Sequence, residues 1–141
     1  MNGPPGLLAQ TVEFRDMAES SIFTRILAGD IPGEVLHETD RVFVLRDIAP
    51  KAPVHLLVIP KTAEYTDVVA LAAAEPDLLA EMIEVASLMA TVHADGDFRL
   101  VFNTGMGAGQ TVPHVHAHVM AHPQGADSHA DGLTEGSLGD A

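Results

Sequence analysis

Residues 110–120 read Gln110-Thr111-Val112-Pro113-His114-Val115-His116-Ala117-His118-Val119-Met120. Three histidines fall at alternate positions, with small or branched apolar residues between them. Successive side chains of a strand point to opposite faces. The spacing therefore predicts a strand over 112–121 with His114, His116 and His118 in one row. Val115, Ala117 and Val119 then point the other way, into packing. Pro113, just ahead of the row, suits a strand start.

Upstream of that strand lies a glycine-rich loop, NTGMGAGQT, and before it FRLVF at 98–102, which reads as another strand. VHLLVI at 54–59 is a continuous β-rich run, read as a central strand that Pro60 ends. EVLHE and RVFVLRD, with Thr39-Asp40 between them, form a strand pair. APKAP then breaks regular structure. Residues 21–28 read as a short helix capped by Ser20 or Ser21, with Ile22, Phe23, Ile26 and Leu27 on one face. The longest helix spans 75–93, with Pro76 in its first turn and a buried stripe of Leu78, Leu79, Met82, Ile83, Ala86 and Met89. Helix, strands, helix, strands, without βαβ alternation, predicts an α+β fold with an antiparallel sheet. Residues 1–20 read as a flexible extension and 124–141 as a flexible acidic tail, in which His129 has no role. The domain is then 21–123.

The 141 residues suit one domain, and 47% apolar with 19% charged residues is ordinary for a globule. With no cysteine, disulfides, thiolate metal sites and a cysteine nucleophile are excluded. No apolar run approaches the ~18–20 residues that cross a bilayer, and the N-terminal stretch lacks the pattern of a signal peptide. The expectation is a cytoplasmic protein. Twenty acids against seven bases give a net charge of −13, which disfavours a nucleic acid partner, and the missing apolar span disfavours a membrane one.

The histidine row has three readings. As a metal site, an adjacent pair can reach one Zn²⁺ at ~2.0–2.1 Å. The outer Cα atoms, however, lie roughly 13–14 Å apart, so a third ligand has to come from His55 or His122. As chance surface histidines, three in register beside a glycine-rich loop are unusually ordered. As a nucleophilic site, a neutral imidazole nitrogen attacks phosphorus and no metal or cofactor is needed. That reading requires an acceptor on the far ring nitrogen, donors for the phosphoryl oxygens and an acid for the leaving group. Gly105, Gly107 and Gly109 let the loop backbone approach a ligand, and its N–H groups can form an anion-binding concavity without positive charge. The loop lacks the Gly-Lys-Ser/Thr ending of a Walker loop.

His114-Val115-His116-Ala117-His118-Val119-Met120 resembles the signature of the histidine triad (HIT) superfamily. SIFTRILAGDIPGEVLHETDRVFVLRDIAPKAPVHLLVIPK resembles the N-terminal half of its Hint-like branch, the nucleoside phosphoramidases. Together the two blocks extend the likeness over roughly Ser21 to Pro123. The resemblance implies a five-stranded antiparallel sheet with two helices, continued across a two-fold homodimer through the long helix and the strand near 98–102. It implies a nucleotidyl hydrolase or transferase acting at the α-phosphate of a purine nucleotide. His116 matches the nucleophile, His118 the residue near the leaving group, and His114 a supporting histidine. His55 matches a histidine that orients the nucleophile. Asn103, Gly109, Gln110 and Thr111 match the phosphate-contacting loop, where Thr111 replaces a common serine. Asp47 matches the acid on the ribose hydroxyls, with Ile48 beside it. Ile22, Phe23, Ile26, Phe43 and Leu45 match the base pocket. Pro113 departs from the Tyr or Phe common there, and the missing cysteines exclude the cysteine-containing zinc site of some relatives. A dinucleoside polyphosphate hydrolase or phosphorylase, and a nucleotide-binding scaffold with residual catalysis, are the competing expectations.

Overall fold

The computed structural model describes residues 21–123. The expected extensions 1–20 and 124–141 lie outside the described residues. Helix α1, Ile22–Leu27, starts where Ser21 Oγ accepts the N–H of Thr24. Strands β1 (Val35–Glu38), β2 (Val42–Arg46) and β3 (Val54–Pro60) follow, then helices α2 (Val68–Ala74) and α3 (Pro76–His93). Strand β4 (Arg99–Val101), a 3₁₀ turn at Met106–Ala108 and strand β5 (Ala117–Ala121) complete the order. The sheet runs β1-β2-β3-β5-β4 and every pairing is antiparallel. The last strand thus inserts between the central strand and β4.

Strand alternation sorts the sheet into two faces. Val42, Val44, Leu56, Val58, Val115, Ala117 and Val119 pack against Leu71 of α2 and Leu78, Met82, Val85, Ala86 and Met89 of α3. Phe43, Leu45, Leu57 and Ile59 pack on the opposite face with Phe23 of α1. All seven residues of β3 are buried because both faces are covered. In register, Leu57 lies opposite His118 and His55 opposite Met120. The face under α1 therefore carries the histidines.

Three features depart from the sequence reading. Helix α2 is a third helix, capped by Asp67, whose carboxylate accepts Ala70 N–H at 2.9 Å. It is short and rich in alanine, and buries only Leu71, so its periodicity was too weak to read. On α3 the buried stripe turns to Val85 and Ala90, leaving Ile83 43% exposed. The last strand begins at Ala117 rather than Val112. Pro113 has no N–H to give a ladder, and Val115 N–H instead donates to the Tyr65 carbonyl at 3.0 Å. His114 and His116 therefore precede the paired strand, and only His118 lies within it.

Candidate active site

A cavity of about 300 Å³ opens on the histidine face. Ile22, Phe23 and Ile26 of α1 form one wall, and Leu45 and Leu57 of the sheet form the floor. His116, His118, Asp47, Ile48 and Thr111 complete the polar end and the rim, where Ile48 is 91% exposed. Phe43 is the exception among the expected base-pocket residues. It is fully buried in the core and does not line the cavity. Leu57 and Val112 line it instead. Leu57 was discoverable, since period two from His55 puts it on the histidine face.

The hydrogen-bond partners assign the ring tautomers. His116 Nδ1 lies 2.8 Å from the carbonyl of His114. A carbonyl only accepts, so this nitrogen carries the hydrogen and Nε2 the lone pair. His114 Nε2 donates to the Pro60 carbonyl at 2.7 Å. Lys51 N–H donates to His55 Nδ1 at 2.9 Å, which leaves the hydrogen of neutral His55 on Nε2. That nitrogen stands 2.9 Å from His118 Nδ1 and 3.4 Å from Asp47 Oδ2. His118 Nδ1 is then the acceptor, and its own hydrogen sits on Nε2. His55 thus holds His118 and not His116, contrary to the sequence reading. The main-chain carbonyl of His114, more than its ring, holds His116.

Burial favours the neutral form of all four rings. It lowers the pKa of His116 against the opposing pull of the His114 carbonyl and Asp47. His118 is pushed down to about 4 by burial, then by His116 and His55. His55 and His114 are lowered by burial as well. Two buried side-chain nitrogens find no partner among the described residues, Asn103 Nδ2 and His118 Nε2. Both belong to expected site residues, and unpaired buried donors are rare enough to point to a ligand.

The glycine-rich loop departs from expectation. Gly105 and Gly109 have φ of 90° and 93°, where glycine alone is at ease. The loop then closes on itself. Ala108, Gly109 and Gln110 donate their N–H groups to loop carbonyls, and Gly105 N–H donates to Gln110 Oε1 at 2.9 Å. Gln110 is buried, and its amide nitrogen donates to Thr66 and Val112 carbonyls at 2.6 and 3.0 Å. These four N–H groups are not the open concavity expected from the glycines. Asn103, Gly109 and Gln110 do not line the cavity, and Thr111 is the loop residue that does.

Asp47, His55 and His118 place one donor atom each within 4.8 Å of one another, a group that can hold a metal ion. Holding one there requires displacing the hydrogen that links His55 to His118. Asp47 Oδ1 is also committed to Ala49 N–H at 2.7 Å.

The family model described as the HIT domain matches residues 28–125. The purine nucleoside phosphoramidase of Escherichia coli K12 is 38% identical over 106 residues, spanning 74% of this chain and 88% of that protein. A 14 kDa zinc-binding protein of Brassica juncea is 36% identical over 102 residues, spanning 71% and 90%. Among solved structures, a HIT family hydrolase from Clostridium thermocellum superposes with a TM-score of 0.68 at 32% identity, covering 77% of this chain and 96% of that one. A histidine triad nucleotide-binding protein from Candida albicans gives 0.67 at 29%, covering 86% and 85%.

Proposed function

Because this chain belongs to the HIT family, we propose that it cleaves at the α-phosphate of purine nucleoside phosphoramidates, of the adenosine 5′-monophosphoramidate kind, through a nucleotidyl-histidine intermediate. The observation that carries the reading is His116. Its hydrogen is held at Nδ1 by a carbonyl, its lone pair is on Nε2, and its ring lines the cavity. That is the state of a nucleophile at neutral pH. The purine preference and the P–N bond rest on the name of the E. coli relative.

In the first displacement, His116 Nε2 attacks the α-phosphorus and the P–N bond to the amine breaks. The leaving nitrogen takes a proton from a water molecule at the edge formed by His118 Nε2–H and Thr111, leaving hydroxide there. In the second, water attacks phosphorus, neutral His116 leaves, and the proton of that water neutralises the hydroxide left by the first displacement. His118 Nε2–H, a donor without a partner among the described residues, offsets the phosphoryl charge. The α1 wall seats the base, and Asp47 grips the ribose, giving orientation. The reading extends to a cytoplasmic homodimer, supported by the cysteine-free composition and by β4 at the sheet edge.

The test is a panel of adenosine phosphoramidates and diadenosine polyphosphates, read by release of monophosphate. Phosphoramidates are expected to turn over faster. Folded His116→Ala is expected to lose at least about 10³-fold in kcat, since it lacks the nucleophile. Retained turnover in that variant removes His116 from the role. Activity lost to a chelator and restored by Zn²⁺ supports instead a metal on Asp47, His55 and His118.

A further inference from the structure

We propose that Ser21 is a positioning residue for the nucleophile, acting through His114; the proposal rests on the nucleotidyl-transfer reading above. Ser21 Oγ stands 2.5 Å from His114 Nδ1 and 3.2 Å from the backbone nitrogen of Thr24. The Thr24 N–H only donates, so the Ser21 oxygen accepts there. His114 Nε2 carries the ring hydrogen, because it donates to the Pro60 carbonyl. His114 Nδ1 is therefore an acceptor, and the Ser21 O–H is its donor.

His114 is completely buried, and both ring nitrogens are satisfied only in this orientation. Turning the ring breaks both hydrogen bonds at once, the buried one to Pro60 and the partly buried one to Ser21. The consequence reaches the nucleophile through the main chain. The carbonyl of His114 accepts the Nδ1–H of His116, so whatever holds residue 114 sets the tautomer and aim of the next ring in the row. Sheet pairing does not hold it, because β5 begins at Ala117. The Val115 N–H of the same peptide unit is held by the Tyr65 carbonyl at 3.0 Å, and the Ser21 bond adds the hold on the His114 ring. The same helix turn also backs the nucleophile directly. Phe23 packs edge-on against His116 with centroids 4.8 Å apart, and lies 5.8 Å from His114. Ser21 thus ties the wall of the nucleoside cavity to the ring that attacks phosphorus.

Capping and positioning separate by substitution. Ser21→Gly removes the hydroxyl while costing a helix start little. Ser21→Thr keeps both bonds. Ser21→Asp keeps a cap acceptor but has no hydroxyl hydrogen. With an adenosine phosphoramidate, Ser21→Gly and Ser21→Asp are expected to lower kcat on the order of five- to tenfold, with adenosine monophosphate affinity nearly unchanged. Ser21→Thr is expected to stay within about twofold of wild type. In ¹⁵N spectra of the imidazoles, Ser21→Gly is expected to shift His114 Nδ1 and to speed exchange of the His116 Nδ1 proton. Wild-type kcat in both Ser21→Gly and Ser21→Asp overturns the proposal, as does an equal loss in Ser21→Thr. If wild type turns over no substrate, the nucleotidyl-transfer reading fails instead. The imidazole spectra then still decide whether Ser21 holds the two rings, and an unmoved His116 proton overturns that.

Discussion

His116 and His118 are the same side chain with opposite hydrogens. A carbonyl fixes the hydrogen of His116 at Nδ1, while His55 makes His118 keep its hydrogen at Nε2. One ring presents a lone pair and the other a donor, as a displacement at phosphorus requires. Burial keeps both neutral, which has two measurable effects. For catalysis, the acid limb of kcat/KM is expected below the ordinary histidine pKa of ~6.5, because His116 is lowered. A limb at or above that value contradicts the burial argument. For stability, the sign follows from proton counts. His118 has a folded pKa of about 4, so between there and ~6.5 the unfolded chain binds a proton that the folded chain does not. Stability therefore rises with pH across that window and levels above it. Each such histidine contributes up to about 1.4 kcal/mol per pH unit. Urea midpoints at pH 5, 6 and 7 are expected to climb, and His118→Gln to climb less steeply. A flat profile in wild type refutes the direction.

At the scale of elements, Gln110 joins the glycine-rich loop to the segment after β3. Gln110→Ala strands the Gly105 N–H and the carbonyls of Thr66 and Val112. The expected loss is on the order of 2–3 kcal/mol, read from urea unfolding; a loss below about 0.5 kcal/mol refutes the staple. Gly33 controls α1 from outside the cavity. A Cβ at Gly33 overlaps Ile26 Cγ2 and stands 3.3 Å from Cδ1. Gly33→Ala is therefore expected to displace this wall residue and weaken adenosine monophosphate binding about fivefold, by calorimetry. Unchanged affinity argues that α1 shifts without cost. The two faces of the sheet were legible because alternation is local: Val115, Ala117 and Val119 against the histidines, and VHLLVI buried on both sides. The start of β5 was not legible. It depends on a carbonyl at Tyr65, fifty residues from the partner it takes at Val115. Nor was the closed loop, since glycine spacing permits an open anion nest and a self-bonded turn equally. The tautomers likewise depend on Pro60, Lys51 and His55, which the histidine row does not reveal.

For the whole molecule, charge and sheet edge pull in opposite directions. The sheet ends at β1 on one side and at β4 on the other, and β4 is only three residues long with partly buried side chains. Such an edge can pair with a second copy across a two-fold axis. Phe98, Leu100 and Phe102 pack partly buried against the core there together with Leu79. Ile83 lies one helical turn beyond Leu79 on α3 and is exposed in the single chain. Yet each copy carries −13, so association works against long-range repulsion, which salt screens over a Debye length of ~8–10 Å. The expected outcome in sedimentation is twice the mass of one chain at physiological ionic strength, with the dimer fraction rising as salt increases from about 0.01 to 0.15 M. Ile83→Asp adds a charge at a position that is 43% exposed in the monomer, so the fold tolerates it while a dimer interface does not. It is expected to shift the population to single chains with little change in melting temperature per chain. A single-chain mass for wild type at every salt concentration removes the two-fold extension. A dimer indifferent to Ile83→Asp moves the contact away from this flank of α3.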